Sequence, residues 1–533
     1  MKKIILLFLF SQFLLTGIFV SAQSRIDVLH YKYSIDLNDN NDTIYGQAAI
    51  TIKFLSPSPS FKLDIVTNND KGKGMKIDQI TGPGVRGFIK SPESVTTILF
   101  PGQSPKAGDT GTYIIFYHGV PADGLIISKN QFGNRTFFAD NWPNRAHNWI
   151  PCIDDPADKA SVEFLVTAPS HYQVISNGIQ IKETSLPGNK KLTHYKEEVL
   201  LPTKVMVIGV AGFAVDTVGV VNNVPVYSWV FPENKKEGFY DYAIAKNILA
   251  FYINYIGPYA YKKLASVQSK TMFGGMENAS AIFYGENTVT GERQEERLIA
   301  HEIVHQWFGN MATEKSFAHF WLSEGFATYL THVYLEDRYG TDSMNKRMRN
   351  EREEIIDFVK FAHKPVVDAV SPYMQLLNAN SYQKGSWVLH MLRRQLGDSI
   401  FKRSIRKYYE TYAGKNADTK DLQKIFESLS GKNLEKFFSQ WLYSPVNPKL
   451  KVKWKYLARG KKIQLDVEQL QGEIVFALPL EIEMNVGNKK IIMPLNITAK
   501  TQRFTWAAAK KPSKITLDPK TFLLFEGTVT EVK

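Results

Sequence analysis

The sequence predicts a multidomain α+β protein with an N-terminal β-sandwich, a mostly helical middle domain and a small C-terminal β domain. The chain has 533 residues, which is more than a single hydrophobic core usually supports. Strand-like segments fill residues 23–215 and return over 448–533, whereas residues 216–447 place apolar side chains at helical spacing. A composition of 44% hydrophobic and 22% charged residues is typical of a globular chain.

Residues 1–22 have the features of a secretory signal peptide. The segment MKKIILLFLFSQFLLTGIFVSA begins with Lys2 and Lys3, continues as an apolar run and ends in small residues at Ala22. The alternative is a transmembrane anchor, which is less favoured because polar residues interrupt the run. We therefore expect an exported protein, periplasmic or secreted, with no stable membrane anchor after cleavage.

Residues 23–215 are predicted to form the β-sandwich. Segments such as YKYSIDL, GQAAITIKFL and TYIIFYH are rich in β-branched and aromatic residues, and turns such as GPGVRG separate them. Cys152 is the only cysteine, so no internal disulfide is expected to stabilise the fold. The net charge of +13 has no clustered basic run, so we do not expect nucleic-acid binding.

The middle domain is predicted from several helical segments. RQEERLIAHEIVHQWFG and FWLSEGFATYLTHVYLEDRYG each end in a glycine, Gly309 and Gly340, as helix C-termini often do. The helical block ends near Pro445 and Pro448, which cannot continue a helix. From Lys449 onward, segments such as LKVKWKYL and KKIQLDVEQL again read as strands and predict the C-terminal β domain.

The stretch AHEIVHQWFGN contains the pattern H-E-x-x-H. Residues four apart on a helix project from nearly the same face, so His301 and His305 can bind one metal ion. Glu302 lies about 100° round the helix and can face a water on that ion, as zinc hydrolases require. The alternative is a helix with two surface histidines, which the flanking apolar residues argue against.

A catalytic zinc usually has three protein ligands and one open position. Glu324, in the segment WLSEGFATYL, begins the next predicted helix 19 residues after His305. An antiparallel helix pair would bring Glu324 back over the two histidines. The alternative is a helix-start carboxylate that only complements the helix dipole.

These residues resemble the aminopeptidase N family of gluzincin metallopeptidases, which also contains the leukotriene-epoxide hydrolases. Three motifs account for the resemblance. The first is His301-Glu302-x-x-His305 followed by Glu324, the second is the stretch GGMEN before this motif, and the third is SYQKGSWVLHML after it. The likeness covers most of residues 28–450. It implies a thermolysin-like zinc metallopeptidase domain over 216–447, one Zn²⁺ per chain, and peptide substrates with a free N-terminus.

The resemblance also implies roles for individual residues. Glu302 would be the general base, and Tyr382 would donate a hydrogen bond to the developing oxyanion. Glu277 would bind the substrate's α-amine, which selects exopeptidase over endopeptidase activity. Without the resemblance, the paired glycines would indicate a plain turn, and Tyr382 would be an ordinary helix-start tyrosine. The predicted substrate-binding residues are Gly274, Gly275, Met276, Glu277, Asn278 and Asp140.

The chain departs from the family at several positions. Asp140 and Trp142 stand where many members have Gln and Glu, and Ser323 stands where Asn is common. The sequence predicts a zinc aminopeptidase rather than an epoxide hydrolase, which would need a specialised lipid pocket. A further alternative is a catalytically inactive peptide-binding protein on the same scaffold. Its mark would be loss of Glu302 or Tyr382, and both residues are present.

Overall fold

A computed structural model describes residues 25–67, 71–91, 94–100, 102 and 104–532. The predicted signal peptide, residues 1–22, lies outside the described residues. The architecture confirms the predicted multidomain α+β class, with a β-rich N-terminal region, a helical middle region and C-terminal strands. In the described part of the chain, no helix combines the length and the apolarity that a bilayer crossing requires.

The N-terminal domain consists almost entirely of strands. Its largest sheet has the order β12-β13-β10-β1-β2-β7-β4, and two smaller sheets have the orders β11-β14-β9-β8 and β3-β6-β5. Alternate residues of β2 are buried, which is the period-two pattern that the sequence predicts. The strands are β1 (Ile26–Asp36), β2 (Ile44–Phe54), β3 (Ser60–Asp64), β4 (Gly74–Thr81), β5 (Gly87–Lys90), β6 (Val95–Leu99), β7 (Thr110–Val120), β8 (Leu125–Lys129), β9 (Arg135–Ala139), β10 (Lys159–Pro169), β11 (Gln173–Ser176), β12 (Ile179–Leu186), β13 (Lys190–Pro202) and β14 (Ile208–Ala211).

The middle domain begins with a five-stranded sheet of order β15-β16-β17-β19-β18. Because β15 begins at Ala214 and pairs with β16, this sheet starts just before the predicted boundary at residues 215/216. The short strand β18 lies at the edge of the sheet and pairs antiparallel with β19. The strands are β15 (Ala214–Val221), β16 (Val224–Val230), β17 (Leu264–Ser269), β18 (Gly275–Met276) and β19 (Ala281–Gly285), and β20 (Ala312–Glu314) pairs separately with β21 (Lys415–Ala417).

Helices form the rest of the middle domain. They are α1 (Lys235–Tyr242), α2 (Ala245–Tyr255), α3 (Glu296–Val304), α4 (Trp321–Tyr339), α5 (Thr341–Val359), α6 (Gly385–Leu396), α7 (Asp398–Tyr412), α8 (Thr419–Ser430) and α9 (Glu435–Leu442), with a π-helical turn at Asn380–Lys384 before α6. The segment YDYAIAKNILAFYINYIG, residues 240–257, has the spacing of one helix in the sequence, but the structure divides it between α1 and α2. Helix α3 ends at Val304, so its predicted end at Gly309 is wrong, whereas α4 ends at Tyr339, directly before Gly340 as predicted.

Helices α4 and α6 cross in close contact at two glycines. A Cβ atom added to Gly325 would lie 2.9 Å from the Cα and C atoms of Gly385 and 3.3 Å from the Ser381 carbonyl oxygen. Since these neighbours are backbone atoms, they cannot move aside, and no larger residue fits at this crossing. The first turn of α4 is therefore held directly against the π-helical turn.

The C-terminal domain contains two sheets, of orders β26-β23-β22-β28 and β25-β24-β27. Alternate residues of β22 and β24 are buried, so both sheets contribute to one core, as expected for a sandwich. The strands are β22 (Lys449–Leu457), β23 (Lys462–Gln469), β24 (Leu478–Val486), β25 (Lys489–Ile497), β26 (Thr501–Ala507), β27 (Lys514–Leu517) and β28 (Glu526–Glu531).

Buried charges connect the N-terminal and middle domains. Lys204 forms an ion pair with Glu314 at 2.5 Å, and both side chains are almost fully buried. Lys159 Nζ donates hydrogen bonds to the carbonyl oxygens of Met311 at 2.7 Å and Lys415 at 3.1 Å. A buried ammonium is retained only when it is paired in this way, so the two domains pack in a fixed orientation beside α3.

Candidate active site and metal centre

Helices α3 and α4 bring the three predicted metal ligands together. His301 lies on the last turn of α3, His305 follows directly after it, and Glu324 lies on the first turn of α4. The Nε2 atoms of the two histidines are 3.2 Å apart, and Glu324 Oε2 lies 3.1 Å and 3.4 Å from them. Ligand atoms of a tetrahedral zinc with bonds of about 2.0–2.1 Å are separated by about 3.3 Å, so this triangle fits Zn²⁺.

The ring of His305 is oriented by its second nitrogen. Its Nδ1 lies 3.0 Å from the Phe308 carbonyl oxygen, so Nδ1 carries the proton and donates it to that oxygen. Ser323 Oγ lies 3.2 Å from the same nitrogen. Nε2 is therefore the nitrogen that faces the metal position, and it can ligate a metal once it has lost its proton. The sequence indicated no partner for either histidine, because these contacts form between α4 and the turn after α3.

Three acidic side chains surround the histidines at the centre of the site. Burial alone would lower the pKa of His305, but the carboxylates of Glu324, Glu277 and Glu302 raise it to about 10. The same cluster lowers the pKa of Glu324, against the opposing effect of burial, because both histidines stabilise its charged form. A buried centre that binds a proton this tightly is one where a divalent cation is strongly favoured in place of the proton.

Glu302 lies against the edge strand β18. It is 5% exposed, and burial raises its pKa well above that of an exposed carboxyl group. A Cβ atom added to Gly275 would lie 2.4 Å from Glu302 Oε1 and 2.6 Å from Cδ and Cγ. Gly275 is thus required first by the close approach of its backbone to Glu302. The sequence analysis assigns Gly275 to substrate binding, whereas the structure shows that its backbone also closely approaches a side chain of the protein.

Tyr382 lies in the π-helical turn that precedes α6. Its ring is stacked on that of His301 with centroids 6.1 Å apart. Burial raises the pKa of Tyr382 well above 10, and the neighbouring charges of Glu324, Glu277 and Glu302 raise it further. The phenol is therefore protonated at neutral pH and can act as a hydrogen-bond donor. Single π-helical turns inside or beside α-helices are frequent at functional sites.

Glu277 lies near His305, at the other end of β18. Its carbonyl oxygen accepts hydrogen bonds from Gln306 Nε2 at 2.8 Å and Asn310 Nδ2 at 2.7 Å, which fix its backbone. Its side chain is 5% exposed, and Oε1 has no hydrogen-bond partner among the described residues. Burial raises the pKa of Glu277, and nearby His305 opposes this effect. An unpaired buried carboxylate oxygen of this kind is ready to accept a hydrogen bond from a ligand cation.

One cavity of about 540 Å³ contains these groups, a volume typical of small-molecule sites. The predicted residues that line it are His301, His305, Glu324, Glu302, Tyr382, Gly274, Gly275, Met276 and Glu277. Asn278 is fully buried and does not line the cavity. The cavity is also lined by residues that the sequence did not single out as site residues, including Trp142, Phe273, Arg297, Leu298, Thr328 and Leu377.

Asp140 does not line the cavity, which differs from its predicted contact with substrate. It is fully buried, and its Oδ1 accepts a hydrogen bond from Arg145 at 2.5 Å. Its Oδ2 accepts hydrogen bonds from Thr271 Oγ1 at 2.9 Å and Met272 N at 3.0 Å. Both oxygens are thus engaged by the protein, and Asp140 positions the loop that places Phe273 in the cavity wall.

Two family models match the chain. Residues 28–205 match the peptidase M1 N-terminal domain, and residues 240–441 match the peptidase family M1 domain. The second range contains the three predicted metal ligands together with Glu302, Glu277 and Tyr382. The cluster of His301, His305 and Glu324, whose ligand atoms lie within 4.8 Å of one another, is therefore inside the region that matches the peptidase domain.

Known relatives are aminopeptidases and associated factors. The chain is 28% identical to probable aminopeptidase 2 of Sulfurisphaera tokodaii over 80% of its length, and 27% identical to human glutamyl aminopeptidase over 83%. It is 26% identical to tricorn protease-interacting factor F2 of Thermoplasma acidophilum over 88% of its length. The chain spans 54%, 49% and 59% of these three relatives. From the two domain matches in order and the motifs within them, the chain belongs to peptidase family M1, the family of aminopeptidase N.

Proposed function

We propose that this protein is a zinc-dependent aminopeptidase that hydrolyses the N-terminal peptide bond of peptides. The observation that supports the proposal is the set of side chains that line one cavity. It combines a metal-binding triad, the carboxylate of Glu302 beside the triad, and the unpaired carboxylate of Glu277 near His305. Family membership and the names of the relatives point in the same direction.

His301, His305 and Glu324 would hold one Zn²⁺ per chain. Two neutral imidazoles and one carboxylate are a ligand set of catalytic zinc, and the separations of 3.1–3.4 Å suit its tetrahedral geometry. When bound, zinc supplies Lewis acidity, which polarises a substrate carbonyl and acidifies water. Three protein ligands leave one coordination position for the reaction.

Glu302 is the general base of the proposed reaction. Its carboxylate lies on α3 next to His301, held by β18 on one side, and it accepts the proton of the attacking water. It then returns that proton to the nitrogen of the leaving amine, so that no charged amide nitrogen is expelled. Glu302 and Tyr382 are both in place in the cavity, which argues against the inactive peptide-binding alternative.

Tyr382 and Glu277 act on opposite parts of the substrate. The protonated phenol of Tyr382 donates a hydrogen bond to the oxygen that gains charge in the transition state, and such donors contribute about 3 kcal/mol. Glu277 accepts hydrogen bonds from the protonated α-amine. Its fixed backbone sets the distance from amine to metal, so only the first peptide bond reaches the site. The free edge of β18 can pair with the substrate backbone.

We also infer that the protein is exported, to the periplasm or outside the cell. The support is the sequence of residues 1–22, with its basic start, apolar run and small-residue end. N-terminal sequencing of protein recovered after expression with its own leader should give a mature chain that begins at Gln23. Full-length protein in the cytoplasmic fraction would contradict this inference.

The decisive assay is hydrolysis of a panel of aminoacyl-fluorophore substrates, with and without a zinc chelator. We expect cleavage that the chelator abolishes and that added Zn²⁺ restores. Glu302→Gln should retain stoichiometric zinc but lose nearly all turnover. Glu277→Ala should impair free-amine substrates most, and an equal loss on N-acetylated peptides would contradict amine recognition. Chelator-resistant cleavage would refute the proposed metal dependence.

A further inference from the structure

Arg297 is the one cationic side chain among the described residues that line the cavity, apart from the histidines. It lies in the first turn of α3 and is exposed. Within the part of the chain that the structure describes, no carboxylate lies within 4.0 Å of its guanidinium group, and no hydrogen bond involves it. The group therefore points its donors at solvent inside a cavity that otherwise carries carboxylates.

The position of Arg297 is unfavourable for its own helix. The first turn of a helix favours acidic side chains, and a cation there is unfavourable because it opposes the helix dipole. Glu296, beside it, follows the rule and is held by Tyr334 and Arg338. A residue that breaks a local rule, without a compensating contact in the fold, indicates a functional use.

Contacts between β18 and α3 give the direction of the cavity. A Cβ atom on Gly274 would lie 3.8 Å from Leu298, and one on Gly275 would contact Glu302. Further along, the Glu277 carbonyl oxygen accepts hydrogen bonds from Gln306 and Asn310. The segment 274–277 thus runs parallel to α3. Glu277 lies at the C-terminal end of the helix, and Arg297 lies at the opposite end.

A substrate anchored at Glu277 must therefore extend toward Arg297. Its amine lies near His305, its first carbonyl lies at the metal triad, and the residue after the scissile bond continues toward the N-terminus of α3. The helix rise places the Arg297 backbone about 6 Å beyond that of His301. Consecutive residues of a peptide are about 3.8 Å apart, so the long arginine side chain reaches the residue that follows the cleaved bond.

We propose that Arg297 binds a carboxylate carried by the residue after the scissile bond, so that the enzyme prefers substrates with an anion at that position. The inference rests on the proposed aminopeptidase function and assigns it a substrate class. The carboxylate has two sources, the α-carboxylate of a dipeptide and the side chain of Asp or Glu in a longer peptide. Arginine suits both, because its planar guanidinium group binds carboxylates through two parallel hydrogen bonds.

The surroundings of Arg297 support an anion site. Burial, followed by the charge of Arg297, lowers the pKa of Arg347 on α5, so the two guanidinium groups lie near one another. Arg347 Nε is buried and has no hydrogen-bond partner among the residues described. Glu295 also lines the cavity, but it forms no ion pair with Arg297 in the described structure. The cation at this end of the cavity is therefore available to a ligand.

The test compares kcat/KM of the zinc-loaded enzyme for two matched substrate pairs. Ala-Gly against Ala-Gly-amide tests the α-carboxylate, and Ala-Glu-amide against Ala-Gln-amide tests the side chain. We expect the acid to be preferred about tenfold in at least one pair, mainly through KM, and the pair that responds identifies the source. The preference should shrink as the salt concentration rises, because Arg297 is exposed.

Variants assign the preference to this residue. Arg297→Gln should make acid and amide equal, Arg297→Lys should keep part of the preference, and Arg403→Gln should leave it unchanged. Arg403 is an exposed arginine of α7 that does not line the cavity, so it controls for net charge. The control variant Arg403→Gln should also cleave alanine anilide, which has no carboxylate, like the wild type. Equal rates for acid and amide in both pairs, or a preference that survives Arg297→Gln, would overturn the inference.

Failure of this inference is distinguishable from failure of the proposed function. Chelator-sensitive cleavage of alanine anilide, with no preference in either pair, leaves the aminopeptidase in place and removes the role of Arg297. If no substrate is cleaved, calorimetric titration of the zinc-loaded protein with both pairs still measures carboxylate selection. Equal affinities for acid and amide in that experiment would also contradict the inference.

Discussion

Replacing Gly275 with alanine should abolish the proposed peptidase activity without unfolding the protein. The added methyl carbon would lie 2.4 Å from Glu302 Oε1 and 2.6 Å from its Cδ and Cγ, whereas an ordinary contact begins at about 3.4 Å. The carboxylate must therefore retreat by about 0.8–1 Å. Since Glu302 faces the cavity, it can move there, and the strand β18 need not shift.

The size of the effect follows from this displacement. A 1 Å misplacement of a reacting group costs on the order of 100-fold in rate, which corresponds to about 2.7 kcal/mol of transition-state stabilisation. Stability should change little, because a glycine-to-alanine substitution at an ordinary backbone conformation reduces the entropy of the unfolded chain and offsets part of the strain. We therefore expect kcat to fall about 100-fold, with zinc content and melting temperature close to those of the wild type.

The neighbouring glycine supplies a matched control. A Cβ atom on Gly274 would lie 3.8 Å from the nearest atom, Leu298 Cδ2, which is ordinary contact. Gly274→Ala should thus retain activity within about threefold in the same aminoacyl-fluorophore assay. If Gly275→Ala kept the wild-type kcat, or if both variants lost activity equally, the contact with Glu302 would not be what requires glycine at position 275.

Three further changes test other parts of the structure. Ser323→Ala removes one contact of the His305 ring and should weaken zinc binding about tenfold, measured by chelator competition; unchanged affinity would contradict its orienting role. Tyr382→Phe should lower kcat by about 10²–10³-fold with little change in KM, and near-normal turnover would remove the phenol from the mechanism. Asp158→Asn tests a titration, because burial raises the pKa of Asp158 from 3.8 to about 7 and leaves Oδ1 without a partner in the described structure. A carboxyl group with a raised folded-state pKa destabilises the fold as pH rises from about 4 to 7, and the loss persists above pH 7. The variant should accordingly melt higher than the wild type at pH 8 and equally at pH 4, and equal melting at both pH values would refute the assignment.

The sequence predicts the parts of the site that local geometry determines. His301 and His305 share a helix face because they are four residues apart, and Glu324 begins the next helix of the same hairpin. The fold class follows from periodicity and is confirmed by the matched domains. The role of Tyr382 rests on the family resemblance, since no local pattern separates it from the other tyrosines.

Other features depend on tertiary contacts that the sequence does not contain. The oxygens of Asp140 accept hydrogen bonds from Arg145 and from a loop more than a hundred residues away in the sequence. No local sequence pattern indicates these contacts, so the sequence alone could not show that they replace the predicted contact with substrate. The role proposed for Arg297 depends on the direction in which a substrate lies in the cavity, and only the packing of β18 against α3 defines that direction. The sequence analysis did not predict helix α5. Most of its residues are charged or polar, and its buried apolar residues, Met344, Met348 and Ile355, form only a narrow stripe.

The contact between Gly325 and Gly385 restricts motion at the candidate site. Glu324 precedes one glycine, and Tyr382 lies three residues before the other, so the predicted metal ligand and the proposed oxyanion donor belong to one rigid body. These two groups cannot separate when a substrate enters. Any closing movement around a peptide must then come from the opposite wall, where the loop carrying Phe273 and the edge strand meet Trp142 of the N-terminal domain.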